Sequence, residues 1–148
     1  MRKLSVLAIL GLICAGCGDG GPAKAVLHPV SGKVTVGGKP LADCKIQFVM
    51  TGKEGAYTSP IAADGSYSLV SPDGRSGAEA GKYKVVLMMS QDLQMKTMYS
   101  GGGGGPPKPG QGAPYPQEYS SLETSPKEVT VEAKSNTIDI DVPAPAGQ

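Results

Sequence analysis

From residue 26 onward the chain alternates apolar and polar positions with a period of two, the spacing of a strand with one wet face. Val30, Gly32, Val34 and Val36 share one parity, and Ser31, Lys33 and Thr35 share the other. Gly37-Gly38 follows, a pair suited to a tight hairpin. Cys44, Ile46, Phe48 and Met50 then face inward, with Lys45 and Gln47 outward. Residues 57–62 form a weaker strand, which Pro60 marks as an edge. Asp64-Gly65 is a second turn, after which Tyr67 and Leu69 point one way and Ser66 and Ser68 the other. Tyr83, Val85, Leu87 and Met89 make the strongest alternation. Val129, Val131 and Ala133, a turn at Lys134-Ser135-Asn136, and then Ile138, Ile140 and Val142 close the pattern. No stretch after residue 17 carries a helical stripe. Seven short strands joined by Gly and Asp turns predict an all-β sandwich. Each fully buried Ile, Leu or Val adds about 1.5–3 kcal/mol, enough in sum to offset the ordering entropy of such a body.

The first seventeen residues have a different pattern. Arg2 and Lys3 give a positive start, and residues 4–13 are an apolar run too short for a permanent membrane span. Cys14-Ala15-Gly16-Cys17 follows. This order resembles a bacterial lipoprotein signal peptide, in which small residues precede a cysteine that takes diacylglycerol and becomes the new N-terminus. Ala15 and Gly16 fit the positions before the cut and Cys17 fits the lipidated residue; Cys14 stands where that family usually carries Leu. An ordinary secretory signal, with Cys17 a plain thiol, is the alternative. The resemblance implies residues 1–16 as signal, residues 17–25 as a lipidated tether, and two or three acyl chains, which anchor stably where one does not. The expected location is therefore the bacterial envelope, on the inner or outer membrane.

Composition fits this division. The whole chain has 148 residues, with 14 basic against 13 acidic. Losing Arg2 and Lys3 leaves 12 basic residues, so no basic field exists to hold nucleic acid or an anionic membrane. With Cys14 removed and Cys17 acylated, Cys44 has no disulfide partner. Its phase with Ile46 and Phe48 predicts a small buried apolar residue; a reactive thiol is the alternative.

The strand-and-turn grammar also carries a resemblance. Val30-Ser31-Gly32-Lys33-Val34, Gly38-Lys39-Pro40-Leu41, Cys44-Lys45-Ile46-Gln47-Phe48, Asp64-Gly65-Ser66-Tyr67-Ser68-Leu69 and Gly81-Lys82-Tyr83-Lys84-Val85 occur in the order seen in carboxypeptidase-regulatory-like, or transthyretin-like, domains. The resemblance covers most of residues 28–142. It implies a seven-stranded Greek-key sandwich over residues 26–143, with residues 144–148 a tail, no catalytic residues of its own, and an accessory, structural or binding role.

About 40 residues separate Met89 from Val129, far above the usual connection. Residues 101–116 are 12 of 16 Gly or Pro, which predicts a disordered spacer, or an extended segment presenting Tyr115 to a groove. Met88, Met89, Met95, Met98 and Tyr99 either pack over an open sheet edge or form a soft binding surface.

Candidate chemistry is sparse. His28 is the single histidine, beside Pro29 and without a nucleophile motif, so a hydrolytic triad is not expected, and one His with one Cys makes a poor metal site. Asp64 and Asp73 each precede Gly and read as turns, not as a calcium loop. Asp139 and Asp141 read as solubilising charges on the outward face of the last strand. Tyr57, Tyr99, Tyr115 and Tyr119 leave room for stacking on a sugar. The expectation is a non-enzymatic, cofactor-free, membrane-anchored lipoprotein with a structural, adhesive or accessory role. The rival is a module binding envelope polysaccharide or peptide through its loops and residues 90–127.

Overall fold

The computed structural model describes residues 24–100 and 112–145. The expected signal, Cys17 and most of the expected tether lie outside the described residues, as do residues 101–111 and 146–148.

Two β-sheets face each other. The strands are β1 (Val30–Val36), β2 (Lys39–Pro40), β3 (Cys44–Met50), β4 (Ala56–Pro60), β5 (Ser66–Ser68), β6 (Gly81–Met89), β7 (Glu128–Val131), β8 (Asn136–Thr137) and β9 (Ile140–Val142). One sheet is built on β1, which pairs antiparallel with β2 and β5 and parallel with β8 and β9. The other runs β4-β3-β6-β7, all antiparallel. Nine strands thus stand where seven were expected. β2 is an added two-residue arm of the Gly37-Gly38 hairpin, whose glycines take φ of 56° and 79°. The expected last strand is split into β8 and β9.

That split has a packing cause. The Tyr67 hydroxyl donates to the Ile138 carbonyl at 2.5 Å, taking that carbonyl away from a sheet ladder. Gly32 makes room for the contact: a Cβ there would lie 2.0 Å from the Ile138 oxygen and 3.1 Å from the Tyr67 ring. Asp139 and Asp141 also do more than solubilise, contrary to expectation. Asp139 accepts the Lys33 backbone N–H at 2.9 Å, and Asp141 accepts the Thr35 hydroxyl at 2.8 Å, so both bind β9 to β1.

Most predicted inward positions hold; Ala133 is the exception, exposed and beyond the end of β7. Val30, Val34, Ile46, Phe48, Leu69, Tyr83, Val85, Leu87, Val131, Ile140 and Val142 are almost fully buried. Phe48 joins the sheets through its ring, 5.9 Å from Tyr67 and 6.0 Å from Tyr83. The β4 edge is closed by an isolated bridge between Thr58 and Val70 and by Ser59, whose hydroxyl accepts the Ser68 N–H at 3.0 Å.

The long connection departs furthest from expectation. It contains a helix, α1 (Gln91–Ser100), and a 3-10 turn at Gln117–Ser120. Ser90 starts α1: its hydroxyl accepts the Leu93 N–H at 3.2 Å and its carbonyl the Gln94 N–H at 2.9 Å. Among its described side chains only Leu93 packs against the core, so α1 offers no apolar stripe to read. Residues 112–116 are no spacer either. Ala113 and Tyr115 are core residues, and Tyr119 joins them. β7 covers only the first half of β6, from Gly81 to Lys84. Beyond it, Tyr115 donates its hydroxyl to the Leu87 carbonyl at 2.9 Å and Ser125 donates to the Val85 carbonyl. The open edge is closed by two hydroxyls.

Candidate functional site

The alternation of strands divides the loops between two ends. At one end lie the incoming residues 25–28, the 51–55 loop, the 70–80 loop and the 132–135 turn. His28 bridges Ala78, Thr51 donates to the Lys82 carbonyl, and Asn136 donates to the Pro29 carbonyl. At the other end lie the Gly37-Gly38 hairpin, the 62–65 turn, the start of α1 and residues 112–116 and 143–145. There Ser90 donates to the Asp43 carbonyl and Gly37 to the Val142 carbonyl.

The tether end is ordered by one loop. Asp73 receives the Ser71 hydroxyl on one oxygen and the Arg75 Nε at 2.6 Å on the other. The Ser71 hydroxyl also accepts the Arg75 N–H at 3.1 Å. The Arg75 guanidinium, so aimed, donates Nη1 to the Ala25 carbonyl at 2.9 Å. The Ser71 hydroxyl first, and the Arg75 guanidinium second, hold the Asp73 carboxyl below its ordinary range. Asp73 was read as a turn residue, which it is; its part in holding residue 25 went unread. The Ser-x-Asp-x-Arg spacing was the only signal. Beside it, Lys53 pairs with Glu79 at 2.7 Å, and the Tyr83 hydroxyl donates to the Glu79 carbonyl at 2.8 Å.

The opposite end carries an open groove of about 460 Å³, lined by Val36, Lys39, Leu41, Pro114, Ala144 and Pro145 among others. On α1, Asp92, Met95, Lys96 and Tyr99 flank a shallower hollow, with Met95 and Tyr99 exposed.

No family model, curated protein or solved structure matches this chain.

The chemistry must therefore be read from the residues alone. Cys44 is buried, as its phase predicted, and desolvation, with the Asp43 charge behind it, pushes its thiol up to about 12. It stays protonated and unreactive at neutral pH. His28 is half-buried and engaged through its backbone in the Ala78 bridge. Asp64 closes its own turn, accepting the Ser66 hydroxyl at 2.6 Å and N–H at 3.1 Å, which hold its carboxyl low. Among the described residues no three His, Cys, Asp or Glu side chains gather as metal ligands. The proposed sugar platform is corrected: Tyr57, Tyr115 and Tyr119 are core residues, and of the four tyrosines only Tyr99 is exposed. Burial raises the Tyr115 phenol to about 12 and moves Tyr57 and Tyr119 the same way. The described helices hold none long and apolar enough to cross a membrane.

Proposed function

We propose that the chain is a non-enzymatic lipoprotein of a bacterial cell envelope, anchored through lipid on Cys17, whose sandwich serves a structural, adhesive or accessory role. The observation that carries this reading is the order of Arg2-Lys3, an apolar run and Ala15-Gly16-Cys17. The structural role draws support from a filled interior and from the quiet chemistry of Cys44 and His28. Within this reading the two sheets form a Greek-key sandwich of transthyretin-like type. Its support is the ordered set of Gly32, Gly38-Lys39-Pro40-Leu41, Asp64-Gly65 and Gly81-Lys82-Tyr83 motifs.

Cys17→Ser tests the anchor. The wild-type protein incorporates a labelled fatty acid and sediments with membranes. The variant loses the label and its membrane association. An unlabelled wild-type protein, or a variant that stays bound, overturns the reading.

A second reading, binding of an envelope polymer, has one observation in its favour: the groove at Val36, Leu41, Pro114 and Pro145. Its apolar lining with a single lysine, Lys39, suits an apolar or acidic peptide better than a sugar, which the buried tyrosines cannot stack. Lys39→Glu, at an exposed position on the groove, abolishes retention on an envelope-peptide matrix if this is the site; unchanged retention removes it.

A further inference from the structure

We propose that the tether end of the sandwich is a membrane-facing surface: Arg75 pins residue 25 so that Val26 and Val70 rest on the bilayer and the domain stands on end. This inference rests on the lipid anchor at Cys17. Its partner is a lipid surface, and the opposite end, with the groove and α1, points away from it.

Three observations converge. The first is reach. Eight residue steps separate Cys17 from Ala25, about 28 Å at full extension. β6, the longest strand, is itself about 30 Å long, so the anchored end stays near the bilayer while the far end is free to point outward.

The second is the pin. Without this contact the unheld stretch of chain would run on to His28. Here the Ala25 carbonyl is held by a guanidinium whose own direction is set by Asp73, and three residues later His28 and Ala78 exchange both backbone hydrogen bonds. The chain therefore leaves the body in a fixed direction from this end.

The third is the character of the surface. Val26 is 73% exposed and Val70 38%, and they flank the same contact. Val26 follows Ala25, and Val70 bridges Ser76, the neighbour of Arg75. Around them Arg75 pairs with Asp73, Lys53 with Glu79 and Lys134 with Glu132, while Lys24, Glu54 and Lys82 at the same end leave a small positive excess. An end with exposed valines and a small positive excess is not repelled by anionic headgroups.

The chain has no tryptophan, so one introduced residue reports alone. The described fold begins at residue 24, so residues 17–148 retain all of it. Cys44 is buried, which confines coupling to Cys17. The test couples Cys17 of this chain to a maleimide lipid in phosphatidylethanolamine–phosphatidylglycerol vesicles carrying a brominated lipid. Val26→Trp, Val70→Trp and Lys39→Trp are compared, Lys39 lying at the opposite end. The expected result is severalfold stronger quenching at positions 26 and 70 than at 39. Adding Arg75→Ala or Arg75→Lys, with circular dichroism confirming the fold, brings position 70 down to the level of position 39. Equal quenching at all three positions, no quenching at 70, or no effect of Arg75 overturns the proposal. So does a tryptophan at 70 shielded from aqueous iodide but untouched by brominated lipid, which identifies a second copy as the occupant. The anchor is attached chemically here, so a failure of lipidation in cells is read separately from a failure of this orientation.

Discussion

Gly32, Tyr67 and Ile138 act as one unit. Gly32→Ala places a methyl 2.0 Å from the Ile138 carbonyl oxygen and is expected to cost about 3 kcal/mol. Tyr67→Phe leaves that carbonyl without its donor, at about 1–3 kcal/mol. Because both act through Ile138, the double variant loses less than the sum, and urea unfolding of all four chains measures the coupling. Parity alone put Gly32 and Tyr67 on the core side. It gave no sign that the glycine exists to admit a phenol. That depends on Ile138, over a hundred positions away, and alternation carries no information across such a distance. Cys44 was legible for the opposite reason, since its burial follows from its own strand.

The connection between β6 and β7 is where local pattern fails. Gly and Pro density marked residues 101–116 as unable to build a core. Yet one tyrosine with one hydroxyl suffices to dock residue 115 on a bare strand edge. Tyr115→Phe and Ser125→Ala each expose a β6 carbonyl and are expected to cost about 1 kcal/mol. Thermal melts check this, and the effects add only if the caps are independent. Any shortening of the connection must therefore spare residues from 112 onward. The helix was missed because its start is set by a cap and not by a stripe. Ser90→Ala is expected to take about 1 kcal/mol from α1. Faster hydrogen exchange of the Gln94 and Thr97 amides reports it. The global midpoint is expected to move little, because Leu93 is the α1 side chain that packs on the core among the described residues.

Across the whole molecule, burial of one thiol and several phenols fixes the response to alkali. Their folded pKa values are raised from 9.0 for Cys44 and from 10.0 for Tyr67 and Tyr83, so each favours folding fully below the unfolded value. As pH rises past it the unfolded chain ionises first, and stability falls. The urea midpoint is expected to be level from neutrality to about pH 9 and to drop steadily above it. Tyr67→Phe blunts the drop at lower overall stability. At the acid end Asp64 and Asp73, held low, favour folding above 3.8 and lose that contribution as pH falls, but both are fully exposed and the effect is slight. The two-sheet arrangement was readable from the sequence because both sheets are made of amphipathic strands. The hub role of β1 was not, because parallel pairing with β8 and β9 is a matter of topology.

That parallel pairing has a mechanical consequence. β1 and β9 run in the same direction, so the chain enters at one end of the body and leaves β9 at the other. A load applied between residue 24 and the C-terminal side pulls the two strands past each other along their length. Their cross-strand bonds then bear the load together and do not peel one after another. Pulled from residues 24 and 145, a single molecule is expected to yield at a markedly higher force than when pulled across the β3–β4 hairpin, a comparison open to force spectroscopy. Loaded along its own axis, the sandwich thus resists being drawn out.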